Sequence, residues 1–420
     1  MMTRTERQQE AARKWIKNKG KGTIVAPTGA GKTRIAIITV KALLKKYPNI
    51  RVLIVVPTIT LKNQWQQELD EWGLLFNAEV WVINSVIKHS FKCDCLILDE
   101  THRYSADTYS QVFGCINYKL IMGLTATFER LDGKEKITNK YCPIIDEITK
   151  AECLANGWIS DYKEYQVLID VDDIDVYKEY NKEWIEHFEF FRFDFKLAMS
   201  MVGSEGWRNV LAFRDELCPN GTDEERKNIL QSIKYHSVRF MKTMQLRKSF
   251  INNHPKKIEI ARKIMEARPN SKIITFSNNI KMAEALENNN YVYSGKTSKK
   301  KGRVMIEDFI SGKIKHLHSI QRLNEGFNVP DISVGIILGT DSSEIKAVQK
   351  RGRIIRKDES KNAEIFYIII NNTIESKWYA NSHKKDQDYI TIDENGLDQV
   401  LKGEQPNLYK KKIQELKFRF

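Results

Sequence analysis

The first part of the chain alternates short, apolar runs with longer segments of mixed polarity. Short apolar runs bounded by turn-forming residues are typical of buried parallel strands, and the segment 61–72 has the apolar spacing of an amphipathic helix. Strands that alternate with helices predict an α/β unit with a doubly wound sheet, whose ligands bind at the carboxyl ends of the strands. The predicted strands are 23–25, 52–56, 80–83, 95–98 and 120–124.

The pattern changes at about residue 159, where a second unit is predicted to begin. A strand is predicted over 165–171, residues 173–250 are rich in helix formers, and strands alternating with helices resume after that. The last part of the chain is polar and rich in lysine, which predicts a helical tail. We therefore expect domains at 1–158 and 159–375, with a helical insertion at about 173–250 and a C-terminal helical tail at 376–420.

The insertion carries many aromatic residues, and they have two interpretations. They could stack on nucleic-acid bases, or they could form the core of a small helical unit, which is the commoner role and the one we prefer. A basic stretch, 234–248, could likewise contact phosphates or be a solvated helix face.

A glycine-rich loop, Ala26–Thr33, lies between the first predicted strand and a predicted helix. Glycines let backbone N–H groups turn toward an anion, and the helix N-terminus adds partial positive charge. Lys32 is expected to reach the β- and γ-phosphates of a nucleoside triphosphate, and the Thr33 hydroxyl to hold Mg²⁺. The predicted phosphate cradle comprises Thr28, Gly29, Ala30, Gly31, Lys32 and Thr33.

Polar residues near this loop extend the predicted nucleotide site. Asp99 and Glu100 directly follow an apolar strand, so the sheet brings them beside the glycine loop. Asp99 is expected to hold Mg²⁺, and Glu100 to orient or deprotonate the attacking water. Gln8 could pair with the adenine edge or be an ordinary solvated glutamine, and the sequence leaves both alternatives open.

The composition of the chain indicates its class of partner and its cellular compartment. The net charge of +14 and the pI near 9.2 point to a polyanionic partner, with nucleic acid first. The six cysteines form no CxxC pair and no zinc spacing. The sequence shows no apolar run of membrane-spanning length and no signal-peptide core, so we expect a cytoplasmic protein without membrane association.

The motifs, taken together, resemble those of superfamily 2 helicases and translocases. The segment 128–133 resembles the XPB-like and phage UvsW-like branch, whose members remodel DNA. In the order motif I, Ia, II (in its DExH form), III, V and VI, the matching segments are 26–33, 56–58, 99–102, 125–127, 324–330 and 349–356.

The resemblance implies two tandem RecA-like domains, parallel sheets flanked by helices, with ATP and Mg²⁺ bound between them. The catalytic residues it implies are Lys32, Asp99, Glu100, Gln349, Arg353 and Arg356, the arginines stabilising the γ-phosphate from the second domain. It adds Gln8, Glu325 and Gly326 to the nucleotide-binding residues. The residues it implies for nucleic-acid contact or for coupling are Pro57, Thr58, His102, Thr125, Thr127, Arg130, Asp132, Ser277, Lys299 and Lys300.

The function implied is ATP-dependent unwinding or branch migration of duplex, forked or branched DNA with 3′–5′ polarity, by a monomer serving DNA repair, recombination or replication. Two alternatives remain open. One is an RNA helicase, since DExH motifs also serve RNA. The other is a nucleotide-gated DNA clamp or translocase subunit that does not separate strands.

Overall fold

The computed structural model describes residues 2–126, 134–159, 162–202, 206–286, 291–320, 332–340, 363–383 and 388–409. It contains two large parallel sheets, each flanked by helices, and a set of helices inserted after the first strand of the second unit. This arrangement confirms the predicted α/β fold class with two sheets and a helical insertion.

The first unit is built on a parallel sheet with the strand order β3-β2-β5-β7-β1-β8, and β4 pairs with β6 separately. Its strands are β1 (Lys21–Val25), β2 (Val52–Val56), β3 (Ala78–Val82), β4 (Phe91–Lys92), β5 (Cys95–Asp99), β6 (Ile116–Asn117), β7 (Leu120–Thr125) and β8 (Ile144–Glu147). Its helices are α1 (Arg4–Lys17), α2 (Lys32–Lys46), α3 (Ile59–Glu71), α4 (Ile83–Val86), α5 (Val112–Cys115), α6 (Glu135–Tyr141) and α7 (Lys150–Ala155), with 3-10 turns at Thr101–Ser105 and Tyr109–Gln111.

Burial explains why these segments become strands. Every residue of β2 and of β5 is buried, as expected for strands covered by helices on both faces. Helix α1 is fixed to the edge strand β8 by the buried Arg7, which bonds to Asp146 at 2.6 Å and to Glu152 at 2.7 Å. These ion pairs hold α1 against the sheet beside the glycine loop.

The second unit is built on a parallel sheet with the strand order β11-β12-β10-β13-β14-β9-β15. Its strands are β9 (Tyr162–Ile169), β10 (Ile273–Ser277), β11 (Val292–Tyr293), β12 (His316–Ile320), β13 (Val334–Ile337), β14 (Ala363–Ile370) and β15 (Ile390–Ile392). Its helices are α8 (Ile174–Phe190), α9 (Phe195–Ser200), α10 (Gly206–Leu217), α11 (Asp223–Asn253), α12 (Pro255–Ala267), α13 (Ile280–Leu286), α14 (Lys299–Ile310), α15 (Ile374–Ser382) and α16 (Glu394–Leu401).

The inserted helices α8 to α11 enclose their own hydrophobic core. Phe188, Phe191, Phe213 and Phe240 are at most 6% exposed and belong to one cluster. Most of the aromatic residues of this segment therefore pack, which is the interpretation that the sequence favoured. A few remain at the surface, including Trp207 and Tyr235, which are 53% and 56% exposed.

The segment after residue 375 differs from the expected helical tail. It contains α16, but also β15, which pairs in parallel with β9 and extends the second sheet. The Thr391 hydroxyl donates to the Gln166 side chain at 2.9 Å, and Ile392 is fully buried. The second unit thus continues beyond residue 375, where β15 covers the edge that β9 would otherwise expose.

Candidate functional site

The glycine loop lies at the carboxyl end of β1 and turns directly into α2. Gly29 and Gly31 have φ angles of 92° and 88°, a left-handed conformation that L side chains rarely adopt. A Cβ on Gly31 would lie 2.3 Å from Nε2 of Gln8. Nζ of Lys32 donates to the carbonyl oxygen of Ala26 at 3.1 Å, so the lysine folds back over the loop. The loop has the shape and charge needed to hold an anion.

Helix α1 contributes polar side chains to the glycine loop. Gln8 is 2% exposed and donates to the carbonyl oxygen of Ala30 at 2.9 Å. Arg4 donates to the carbonyl oxygens of Gly29 and Ala30, and burial lowers the pKa of its guanidinium. Gln8 is therefore not a solvated glutamine. An open cavity of about 400 Å³ beside these side chains is lined by Arg4, Thr5, Gln8, Gly31, Thr33, Arg34 and Glu68.

The acidic pair follows β5 at the same edge of the sheet. Asp99 is 6% exposed; its Oδ2 accepts from Nε1 of Trp65 at 2.8 Å, and its Oδ1 accepts from the Glu100 N–H at 3.0 Å. Burial, and next the charge of Glu100, raise the pKa of Asp99 to about 6, while the Trp65 bond and the charge of Lys32 oppose the rise. The charge of Lys32 thus acts on this carboxylate.

The donor set fits Mg²⁺, which prefers hard oxygen ligands such as the Asp99 carboxylate and the Thr33 hydroxyl. Oε2 of Glu100 is buried and accepts no hydrogen bond from any residue that the structure describes. Because the contact of this oxygen with Nδ1 of His102 is long, at 3.5 Å, the oxygen can still accept from a further cationic or water ligand. The residues present therefore suit a Mg²⁺-bound nucleotide.

Two hydrogen-bonded connections join the acidic turn to the end of β7. The Thr101 hydroxyl lies 2.9 Å from the carbonyl oxygen of Leu98 and 3.1 Å from that of Leu124. Nδ1 of His102 lies 3.0 Å from Oγ1 of Thr125 and 3.5 Å from Oε2 of Glu100. These contacts connect the end of β7 with the turn that carries Glu100.

The other expected contact residues lie at strand ends or at a helix start. Pro57 and Thr58 follow β2, and the Thr58 hydroxyl caps α3 by accepting from the Leu61 N–H at 3.3 Å. Ser277 ends β10 in the second sheet, is 4% exposed and donates to the carbonyl oxygen of Asn279 at 3.0 Å. Helix α14 begins at Lys299, and Lys300 is exposed in its first turn.

Several expected site residues lie outside the described residues, so their predictions stay predictions. They are Thr127, Arg130, Asp132, Glu325, Gly326, Gln349, Arg353 and Arg356.

Sequence reasoning missed Arg4 and Trp65, which both contact this site. Arg4 stands four positions before Gln8 on α1, so helical spacing could have placed it on the same face. Trp65 is one of the two buried residues of α3, but nothing in the local pattern indicated its partner.

Within the described residues, no helix is both long and apolar enough to span a membrane.

The chain is similar to known restriction-subunit, helicase and translocase proteins. The family described as "Type III restriction enzyme, res subunit" matches residues 1–91 and 83–130, and "Helicase conserved C-terminal domain" matches residues 256–358. The DNA 3′-5′ translocase XPB2 of Sulfurisphaera tokodaii is 27% identical over 384 residues, which cover 87% of this chain and 81% of that protein.

Solved helicase structures share the fold. The helicase domain of Pyrococcus furiosus Hef has a TM-score of 0.52 at 18% identity, over 90% of this chain and 97% of that one. Dbp5 of S. cerevisiae, bound to RNA and ADP BeF3, has a TM-score of 0.58 at 12% identity, over 94% of this chain and 91% of that one. Three findings together support an ATP-hydrolysing helicase of superfamily 2: the restriction-subunit model matched over residues 1–130, the helicase model matched over residues 256–358, and the translocase relative.

Proposed function

We propose that the chain is a DExH-type motor of the XPB-like and UvsW-like group, which uses ATP and Mg²⁺ to move along DNA with 3′–5′ polarity. It acts as a monomer on duplex, forked or branched DNA and separates strands or migrates branches. The choice of DNA is supported by the relative with the name DNA 3′-5′ translocase, 27% identical over 81% of its length. The net charge of +14 agrees with a polyanionic track.

The roles of the site residues follow from their chemistry. The glycine loop and Lys32 bind the phosphates, and Thr33 and Asp99 would hold Mg²⁺, which when bound neutralises charge on the β- and γ-phosphates. Glu100 orients the attacking water and accepts its proton. In this proposal the second unit supplies Gln349, Arg353 and Arg356 to the γ-phosphate, and Glu325 and Gly326 to the nucleotide.

One observation carries the motor assignment: the 3.0 Å bond between His102 and Thr125. It connects the second residue after the acidic pair with the strand end that leads into the proposed nucleic-acid segment, which includes Thr127, Arg130 and Asp132. A motor needs such a connection, since its track must influence hydrolysis and hydrolysis must influence its grip.

Removing the bond between His102 and Thr125 is expected to uncouple ATP hydrolysis from strand displacement. Thr125→Val keeps the side-chain shape but loses the hydroxyl, so we expect ATP hydrolysis without DNA to persist while strand displacement falls about tenfold, or 1.4 kcal/mol. Strand displacement is measured on a forked duplex, and the rate of ATP hydrolysis is measured in parallel without DNA. The matched control is Thr23→Val, also fully buried, whose hydroxyl donates to the carbonyl oxygen of Cys142 at 2.7 Å. Equal strand displacement by both variants would contradict the role of Thr125.

The helical insertion offers a surface for the DNA backbone. From 226 to 253, α11 contains seven Lys or Arg and no Asp or Glu, and it is 31 residues long, or about 46 Å. We define its α11 basic face by the exposed Lys227, Lys234, Lys242 and Lys248. Nζ of Lys234 lies 5.1 Å from the ring centroid of the exposed Trp207. A row of lysines with an exposed ring beside it suits a phosphate backbone.

Neutralising this face is expected to weaken DNA binding in a salt-dependent way. Lys234→Ala with Lys242→Ala removes two phosphate contacts, so the slope of log affinity against log salt should fall by about 2. Fluorescence anisotropy with duplex DNA at several salt concentrations measures it. The control is Lys178→Ala with Lys182→Ala on α8, where exposed acidic residues stand between and around the lysines. The proposal fails if both double variants lower the slope equally.

One panel of substrates tests the function as a whole. Duplex DNA, forked DNA, four-way junctions and RNA are compared for stimulation of ATP hydrolysis and for strand separation. We expect stimulation by DNA and separation of forks with a 3′ loading strand. Stimulation by RNA alone would favour the RNA helicase alternative.

A second function is favoured by the family match itself. The first family is described as a restriction enzyme subunit, which fits translocation along duplex DNA without strand separation. Displacement of a triplex-forming strand in the absence of fork unwinding would identify this activity.

A further inference from the structure

The indole of Trp65 donates to the Asp99 carboxylate from a different element of the first unit. Trp65 lies on α3, is 2% exposed, and its Nε1 is 2.8 Å from Oδ2 of Asp99. The two residues are 34 positions apart and meet because β2, which precedes α3, pairs with β5, which ends at Asp99.

This bond fixes the orientation of the carboxylate. A tryptophan N–H can only donate, and a donor to a charged carboxylate bonds about twice as strongly as a donor to a neutral acceptor. With Oδ2 held by Trp65 and Oδ1 by the Glu100 N–H, the carboxylate plane cannot rotate without losing a hydrogen bond. Each oxygen keeps a lone pair for another ligand.

The same side chain anchors α3 to the sheet. Of this helix only Trp65 and Leu69 are buried, and its first turn is capped by Thr58, a proposed nucleic-acid contact residue. A displacement of α3 therefore changes the distance between the indole and the carboxylate.

We propose that Trp65 is a positioning residue that holds the Asp99 carboxylate in place for Mg²⁺. The inference rests on the proposed role of Asp99 as a metal ligand. Hydrogen bonds to a ligating group tune metal affinity, and removing one commonly lowers that affinity by 10- to 100-fold.

The test compares Mg²⁺-dependent and Mg²⁺-independent binding of nucleotide. The affinity of a fluorescent ADP analogue is measured with Mg²⁺ and with EDTA, and the ratio of the two gives the contribution of the metal. Trp65→Phe keeps an aromatic ring and loses the N–H. We expect this ratio to fall about tenfold, with the affinity in EDTA unchanged.

The matched control is Trp15→Phe in the same unit. Trp15 is fully buried, and its Nε1 donates to the carbonyl oxygen of Ile121 at 2.9 Å. The two substitutions thus remove the same atoms and one buried hydrogen bond each, but only one of the bonds ends on a carboxylate. This control should keep the wild-type ratio.

Asp99→Asn distinguishes a failure of the metal-ligand role of Asp99 from a failure of the positioning role of Trp65. A wild-type ratio in Asp99→Asn would overturn the metal-ligand role of Asp99 itself. A reduced ratio in Asp99→Asn together with a wild-type ratio in Trp65→Phe would overturn only the role of Trp65.

A further measurement needs no substitution. In the wild-type protein with nitrogen-15-labelled tryptophan, Mg²⁺ added to the ADP complex should shift the indole N–H signal of Trp65 and leave that of Trp15 in place. An unmoved Trp65 signal would overturn the proposal, whatever the stability of the variants.

Discussion

Replacement of Glu100 by glutamine is expected to slow ATP hydrolysis by about 10² to 10⁴-fold, because an amide cannot accept the proton of the attacking water. The substitution preserves side-chain size, so ATP binding should persist. The structure supports this choice, since Oε2 of Glu100 is buried beside Asp99 and accepts no hydrogen bond from a described residue. Rapid-quench hydrolysis and equilibrium binding of ATP measure the two effects.

Two other variants test whether the loss of hydrolysis is specific to Glu100. Glu147→Gln changes an exposed carboxylate at the end of β8, on the same edge of the same sheet, and should hydrolyse ATP at the wild-type rate. Lys32→Ala removes the lysine that is proposed to bind phosphate, and it should lower ATP binding and ATP hydrolysis together. Wild-type turnover by Glu100→Gln would rule out its role as the base.

Substitution of Lys257 by methionine is expected to destabilise the second unit by about 3–5 kcal/mol, because it leaves a buried carboxylate without its cation. Nζ of Lys257 bonds to Oε1 of Glu375 at 2.7 Å, and both side chains are fully buried. The same lysine donates to the carbonyl oxygen of Leu338 at 3.0 Å, and Glu375 accepts from Thr340 at 2.8 Å. Burial lowers the pKa of Lys257, and the charge of Glu375 opposes this shift.

Hydrogen exchange of the β14 amides measures this loss, because the Ile370 N–H donates to Glu375 at 3.0 Å. Lys256→Met is the neighbouring control: its side chain is 28% exposed and pairs with Glu259 and Glu394 near the surface. That variant should lose about 1 kcal/mol or less. In Lys257→Met with Glu375→Leu the buried charge is also gone, so we expect much of the stability to return. Equal hydrogen-exchange protection of the β14 amides in Lys257→Met and Lys256→Met would refute the stabilising role of the buried ion pair.

The strands and the glycine loop could be predicted from sequence for a local reason. Val52–Val56 and Cys95–Asp99 are buried along their whole length, and such strands have an apolar pattern that needs no knowledge of their neighbours. The glycine loop is equally local, since its conformation depends on its own glycines and on the helix that follows.

The expected C-terminal tail shows where local pattern was insufficient. The strand Ile390–Ile392 is too short to predict, and it forms because β9 presents an open edge. The sequence did not indicate that Lys257 is buried either, because a lysine at the start of a helix is normally exposed. Its burial depends on Glu375, which is 118 positions away.

The sequence by itself determined which segments form strands and helices, and which chemical groups are available for phosphate and metal. Only the tertiary structure decided the partners: Gln8 on the glycine loop, His102 on Thr125, and Trp65 on Asp99. The physical reason is that side-chain periodicity is set by a residue's nearest neighbours in the chain. Contacts at a sheet edge are set instead by strand order, and the order β3-β2-β5-β7-β1-β8 is a property of the whole fold.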